Sequence, residues 1–166
     1  MHDELTKIDI EKMKAEIEYR KVTLRHELLE EVKRTRAYGD LSENAEYKEA
    51  KRLKNKNESR IRYLENMVKT AKVIEDNSTA DTIGLYDIVT AHISLTDSEM
   101  TFRIVTTIRN DFKTGLISKE SPFGKALLGK KVGDSVEIEA PGGSYIMTVK
   151  NLVKAEDDGS APISSY

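Results

Sequence analysis

Apolar residues in the first half of the chain recur at helical spacing. Ile10, Met13, Ile17, Leu24, Leu28, Val32 and Thr35 follow one another at steps of three, four or seven, which keeps them on one helix face. Arg20 interrupts that seam. A second series, Tyr47, Ala50, Leu53, Asn57, Ile61, Leu64, Val68 and Ala71, runs at the same spacing. Between them lies Tyr38-Gly39-Asp40-Leu41-Ser42. There the glycine suits a helix C-cap, and Asp40 or Ser42 can cap the first amides of the next helix. Glu43 and Glu46 would then stand in the first turn, where carboxylates favour the positive end of the helix dipole. The pattern predicts an antiparallel coiled-coil hairpin with arms of about 30 residues, each roughly 45 Å long. The rest of the chain is too short to cover such arms, so the hairpin should project with its tip exposed.

The second half changes period. Ser135 to Ala140 alternates apolar and polar positions, Pro141-Gly142-Gly143 marks a turn, and the run YIMTVKNLV that follows is strand-like. Tyr86 to Leu95 and Met100 to Ile108 are rich in β-branched residues and flank the polar turn Thr96-Asp97-Ser98-Glu99. Phe123 to Leu128 reads as a short helix that starts at Ser121-Pro122 and stops at Gly129. The expected architecture is α+β, a helical hairpin followed by a small antiparallel sheet carrying one helix. Glu156 to Tyr166 lacks periodicity and is expected to be a mobile tail.

Glycine and charge place the boundary between the halves. Eight of the nine glycines lie after residue 80, and all three prolines at Pro122 or later. Up to Glu75 there are 18 basic and 16 acidic residues, whereas from Asp76 onward there are 9 basic and 13 acidic. The step near Asp76-Asn77-Ser78-Thr79 divides the chain into a hairpin over 1–76, with a functional tip at 39–47, a sheet domain over 77–155 and a tail over 156–166. Absence of cysteine excludes disulfides, thiolate zinc sites and cysteine nucleophiles. No apolar run approaches the ~20 residues of a membrane-spanning helix, and the opening HDELTKID does not resemble a secretory signal. A monomeric cytoplasmic protein with no membrane partner is expected.

Two features could carry chemistry. Asp40 and Glu43 are three residues apart across a helix start, so both carboxylates could face one point beyond the tip. Capping is the ordinary reading of that spacing. Two carboxylates are also too few to hold Mg²⁺ tightly, so a metal role would require ligands from a partner. Around this acidic point, residues 33–62 carry a net charge of +5, and Lys48, Arg52, Lys56 and Arg60 recur every four residues. Such a stripe is either a solvated flank with ion pairs such as Glu49 to Arg52, or a surface that attracts a phosphate chain. His2, His26 and His92 have no metal-ligand spacing, and no nucleophile elbow, phosphate-binding loop or dinucleotide fingerprint occurs. These features point away from a self-contained enzyme.

The tip sequence GDLSENAEY, then KEAK and RIRYLENMVKTAKVIED, resembles the Gre family of transcript cleavage factors. LISKESPFGKALLGKKVGD and VEIEAPGG resemble the C-terminal domain of the same family, and the likeness runs from about Leu5 to Val153. Asp9-Ile10-Glu11 departs from the family's glycine-containing start, and the acidic tail after Lys154 is a second departure. The resemblance implies a factor that binds bacterial RNA polymerase and inserts its hairpin through the secondary channel of a backtracked enzyme. Asp40 and Glu43 would help hold a second Mg²⁺ shared with the polymerase active centre, which would then hydrolyse the RNA near its 3′ end. Arg36 and Lys51, joined by Arg52, would hold the extruded RNA. The resemblance also implies an FKBP-like C-terminal domain in which Glu120, Ser121 and Pro122 dock on the polymerase.

Two alternatives share the architecture. A Gre-like inhibitor of polymerase would be expected to carry an altered tip, and here the tip is intact. A prolyl isomerase would use the FKBP-like domain as an enzyme, yet the chain has no Trp to floor a pocket, and fold alone does not carry function.

Overall fold

The structure, a computed structural model, describes residues 3–39 and 43–165. Two compact units divide it, one over 10–71 and the other over 3–9 together with 72–165. The division departs from the boundary expected near residue 76 in two ways. The hairpin ends at Ala71, and residues 3–9 belong to the sheet unit. The reason is a small parallel pairing of β1 (Glu4–Leu5) with β2 (Lys72–Val73), in which Leu5 is fully buried.

One arm of the hairpin is built from α1 (Lys7–Tyr19), a wide π turn (Arg20–Leu24) and α2 (Arg25–Arg36), and the other is α3 (Ala45–Thr70). At 26 residues, α3 is about 39 Å long. Met13, Thr35, Ala50, Ile61 and Leu64 are buried in the seam as the periodicity predicts. Leu53, also predicted there, is exposed, while Arg60 turns inward and is buried.

The interruption at Arg20 is where the helix widens. Arg20's carbonyl accepts the amide of Arg25, five residues on, and also the side-chain amide of Asn57 at 3.3 Å. In return Arg20 donates to Asn57 Oδ1 at 3.0 Å. Glu16 accepts from Arg20 at 2.7 Å and from Arg60 at 3.0 Å, completing a polar layer across the seam. A buried asparagine in such a seam costs stability and fixes register, because a slipped partner would leave its amide unpaired. Further out, Arg25 forms two hydrogen bonds with Glu58, and Lys21 pairs with Glu65.

The sheet unit contains five strands in the order β5-β4-β3-β7-β6. They are β3 (Ile88–Ile93), β4 (Ser98–Val105), β5 (Leu116–Ser118), β6 (Ser135–Ala140) and β7 (Gly143–Val153). The expected antiparallel sheet is mixed, since β5 runs parallel to β4 with Ile104 opposite Ile117. β4 also ends before the predicted Ile108, and a 3-10 turn over Thr107–Arg109 takes the chain round to β5. The α+β class and the FKBP-like description hold. Val89, Ala91, Phe102, Ile104, Met147 and Val149 form the centre of the core. The helix α4 (Pro122–Leu127) adds Leu127, and Phe123 meets Phe102 edge to face at 5.5 Å.

Arg109 is fully buried in this unit. It donates to Asp9 at 3.2 Å and makes two hydrogen bonds to Asp157 at 2.6 and 2.8 Å. Its guanidinium centre lies 4.9 Å from the Tyr86 ring centroid. Burial alone would lower the Arg109 pKa; the bonds to Asp157 and Asp9 and the Tyr86 oxygen outweigh it and raise the net value. Asp157 lies in the segment expected to be mobile. So does Ser164, whose amide donates to Ile108 at 2.7 Å and whose hydroxyl donates to the Asn110 carbonyl at 2.8 Å. The tail is therefore tied to the sheet unit by a buried charge and by backbone bonds.

Candidate functional site

The tip of the hairpin begins where α2 runs out of helix. Gly39 has φ +85°, a left-handed exit that residues with a Cβ adopt at a cost, and its amide donates to Arg36 O at 3.4 Å. Asp40, with Leu41 and Ser42, lies outside the described residues. Helix α3 restarts at Ala45 with Asn44 as its cap, its Oδ1 accepting from Tyr47 N–H at 3.0 Å. The cap thus falls at Asn44, after the Asp40 or Ser42 that spacing suggested. Sequence alone could not choose among three cap-competent residues within five positions.

This shift changes the meaning of Glu43. Instead of standing in the first helical turn it precedes the cap, and the third residue after the cap is Tyr47, so Glu43 takes no part in a capping box. Its side chain is exposed, and among the described residues its carboxylate has no hydrogen-bond partner. Glu46 does sit in the first turn of α3, as predicted.

The basic residues divide into paired and unpaired ones. Arg52 holds both oxygens of Glu49, at 2.8 and 2.6 Å, and the carboxyl of Glu49 is held below its usual range by that bond. Arg34 is similarly engaged by Glu31 and Tyr38. Arg60, the last member of the predicted stripe, is withdrawn into the seam by Glu16. By contrast, Arg36 in the last turn of α2 is exposed and has no carboxylate partner among the described residues. Lys51 is exposed and stands 5.4 Å from the Tyr47 ring centroid. Glu31, Glu46 and Glu49 line a groove between α2 and α3 together with Arg34, Tyr38, Ala50 and Leu53; Arg36 and Lys51 lie outside that groove. Lys48, Lys54 and Lys56 likewise have no ion pair among the described residues, so the unpaired cations extend from the tip along α3. Among the described residues, no three aspartate, glutamate or histidine side chains converge to hold a metal.

In the sheet unit, Ser121 caps α4. Its hydroxyl accepts from Gly124 N–H at 3.1 Å and donates to Ser118 O at 2.7 Å, while Pro122 takes the first helical position. Both residues thus have a local structural role. Glu120 is exposed and forms ion pairs with Lys119 at 3.4 Å and Lys125 at 3.3 Å.

Comparison with known proteins covers both units. Residues 4–73 match the family model described as transcription elongation factor, N-terminal, and residues 77–153 match transcription elongation factor, GreA/GreB, C-term. The chain is 43% identical over 139 residues to the transcription elongation factor GreA of Thermotoga neapolitana, covering 84% of this chain and 89% of that one. It is 41% identical over 143 residues to the GreA of Bacillus subtilis, covering 86% and 90%. With the GreA of Thermoanaerobacter pseudethanolicus the identity is 44% over 151 residues, covering 90% and 96%. Among solved structures, the GreA factor homolog 1 of Thermus thermophilus aligns at 25% identity and a TM-score of 0.42, covering 93% of this chain and 100% of that one.

Proposed function

The chain belongs to the GreA/GreB family of transcription elongation factors, and from that premise we propose that it stimulates bacterial RNA polymerase to cleave the RNA of backtracked complexes. The hairpin enters the secondary channel and brings Asp40 and Glu43 to the active centre. The observation that carries this reading is Glu43, an exposed carboxylate released from capping and left without a partner among the described residues.

The donor set fits Mg²⁺, a hard cation that prefers carboxylate oxygens and keeps positions open for other ligands. Asp40 and Glu43 would hold the ion together with polymerase groups, and the free protein would bind it weakly. When bound between the two partners, the metal supplies activation of a water and stabilisation of the departing oxygen. The chain's own contribution is to deliver two carboxylates; Arg34 and Arg52 are already engaged by Glu31 and Glu49.

Arg36 and Lys51 hold the phosphates of the extruded RNA 3′ segment. Arg52 joins them only by exchanging Glu49 for a phosphate, so its share is smaller. In the sheet unit Glu120 is the recognition side chain for the polymerase, while Ser121 and Pro122 shape the helix start that presents it. The factor acts as a monomer in the cytoplasm.

The test is a cleavage assay on a halted, backtracked complex of the cognate polymerase. The Asp40→Ala/Glu43→Ala double variant should lose stimulated cleavage while keeping its affinity for polymerase and its helix content. Full activity in that variant would overturn the assignment. Tight binding by the wild-type chain with no cleavage would instead identify an inhibitory factor.

A further inference from the structure

We infer that Asn44 is a positioning residue, whose side chain ties the end of α2 to the start of α3 and thereby sets where the Glu43 carboxylate stands. The inference rests on the proposed function, because it gives Glu43 a chemical task to be positioned for.

Asn44 makes two hydrogen bonds with opposite polarity. Its Oδ1 accepts from Tyr47 N–H at 3.0 Å, and its Nδ2 donates to the Thr35 carbonyl at 2.8 Å. Only this orientation of the amide satisfies both partners, since an amide nitrogen cannot accept and a carbonyl cannot donate. Thr35 is fully buried, and its carbonyl, in the last turn of α2, accepts the Tyr38 amide at 3.3 Å and takes from Asn44 its shorter hydrogen bond. The Thr35 hydroxyl is committed to Glu31 O at 2.9 Å and Val32 O at 3.2 Å, so the residue is held from both ends.

Capping alone does not require asparagine. Asp or Ser would accept from Tyr47 N–H equally well. What they lack is an acceptor and a donor at opposite edges of one planar group, which lets a single side chain grip two helices. Glu43 is joined to Asn44 by one peptide bond. With Asn44 fixed to both arms, the start of α3 cannot swing relative to the end of α2, and Glu43 is left with little freedom beyond its own side-chain torsions. A displacement of about 1 Å in a catalytic constellation can cost on the order of a hundredfold in rate, so such a tie matters for a carboxylate that must meet a metal supplied from outside.

Asn44→Asp and Asn44→Ser separate the tie from the cap. Both keep an acceptor for Tyr47 N–H; ionised Asp has no donor, and the Ser hydroxyl is too short to serve Tyr47 and Thr35 together. The two variants also differ in charge, so a shared defect cannot come from the new carboxylate of Asp. Full-length proteins should keep wild-type helix content by circular dichroism and polymerase affinity within twofold. Their cleavage rate at saturating factor should fall roughly tenfold or more, with the half-saturating concentration unchanged. In the free proteins, the ¹⁵N order parameter of the Glu43 amide should fall in both variants, and wild type should show one slowly exchanging Asn44 side-chain proton. Wild-type cleavage beside equally active Asn44→Asp and Asn44→Ser variants, or an unchanged Glu43 order parameter, overturns this inference alone. A wild-type chain that binds polymerase and stimulates no cleavage overturns the functional reading and this inference with it.

Discussion

The hairpin and the sheet unit bury their residues by different means. In the sheet unit the centre is aliphatic and aromatic, with Val89, Phe102, Ile104, Met147 and Val149 almost wholly removed from water. The hairpin has no comparable apolar mass. Its seam alternates apolar residues with the Arg20, Glu16, Arg60 and Asn57 layer, and Arg25 with Glu58 and Lys21 with Glu65 brace its flanks. The difference follows from shape. Two helices side by side can bury only one stripe each, so much of the seam is within reach of charged side chains. A sheet with a helix on one face encloses a larger apolar centre, and this unit buries Arg109 with Asp9 and Asp157 as well. The sheet unit is thus held mainly by volume and the hairpin mainly by register, and the two should respond differently to substitution.

The largest effect should come from emptying the sheet core. Phe102→Ala removes a ring that packs on Phe123 and should cost about 3–5 kcal/mol. Chemical denaturation followed by NMR should show early loss of the Val149 methyl signal, with the α3 amide signals persisting to higher denaturant. Simultaneous loss of both sets would break the comparison.

A smaller effect is expected in the hairpin seam. Arg60→Ala should cost about 2 kcal/mol, less than the 3–5 of a wholly buried pair, because Glu16 keeps Arg20 as a partner. Helix unfolding by circular dichroism measures it. Combining Arg60→Ala with Glu16→Ala should cost less than the two single changes summed, which would sharpen the case that the layer acts as a unit.

Acid should produce the smallest change, and Glu16 and Glu58 give the hairpin its share of it. Burial pushes Glu16 up, but hydrogen bonds from Arg60 and Arg20 outweigh it and hold its carboxyl below 4.5; Glu58 is lowered by its hydrogen bond from Arg25. A carboxyl with a lowered folded value contributes stability that is complete above its ordinary pKa and lost as pH falls through the folded one. The hairpin melting temperature should be level above about pH 5 and decline below the ordinary carboxylate value. Glu16→Gln should flatten part of that decline; an unchanged slope would show that Glu16 carries none of it.

Periodicity made the hairpin, its turn at Gly39 and the α4 boundaries legible, because each rests on residues close together in the chain. Interactions that depend on distant partners were not legible. Arg60 lies on a four-residue charge repeat, and nothing local says that Glu16, 44 positions away, draws it inward. The two-residue strands β1 and β2 are too short to leave an alternating pattern. Strand β5 is three residues long, so its parallel register could not be read either. At the tip, spacing pointed to capping and the metal role of Asp40 and Glu43 came from family resemblance, while the cap that frees Glu43 was hidden among Asp40, Ser42 and Asn44. The roles of Arg36, Lys51 and Glu120 rest on family resemblance, for which their exposure is necessary and not sufficient.

The buried Arg109 has a consequence for the order in which the chain acquires its structure. Its two carboxylate partners, Asp9 and Asp157, are separated from it by 100 and 48 positions. A chain emerging from the ribosome presents the whole hairpin before Arg109 exists, and then presents Arg109 well before Asp157. During that interval the guanidinium has Asp9 alone to meet it, and burying it would leave donors without acceptors. The sheet unit therefore reaches its final packing only once Asp157 has emerged, and the segment that carries it closes the folding of the unit. The hairpin, with its contacts made among residues 10–71, is under no such delay.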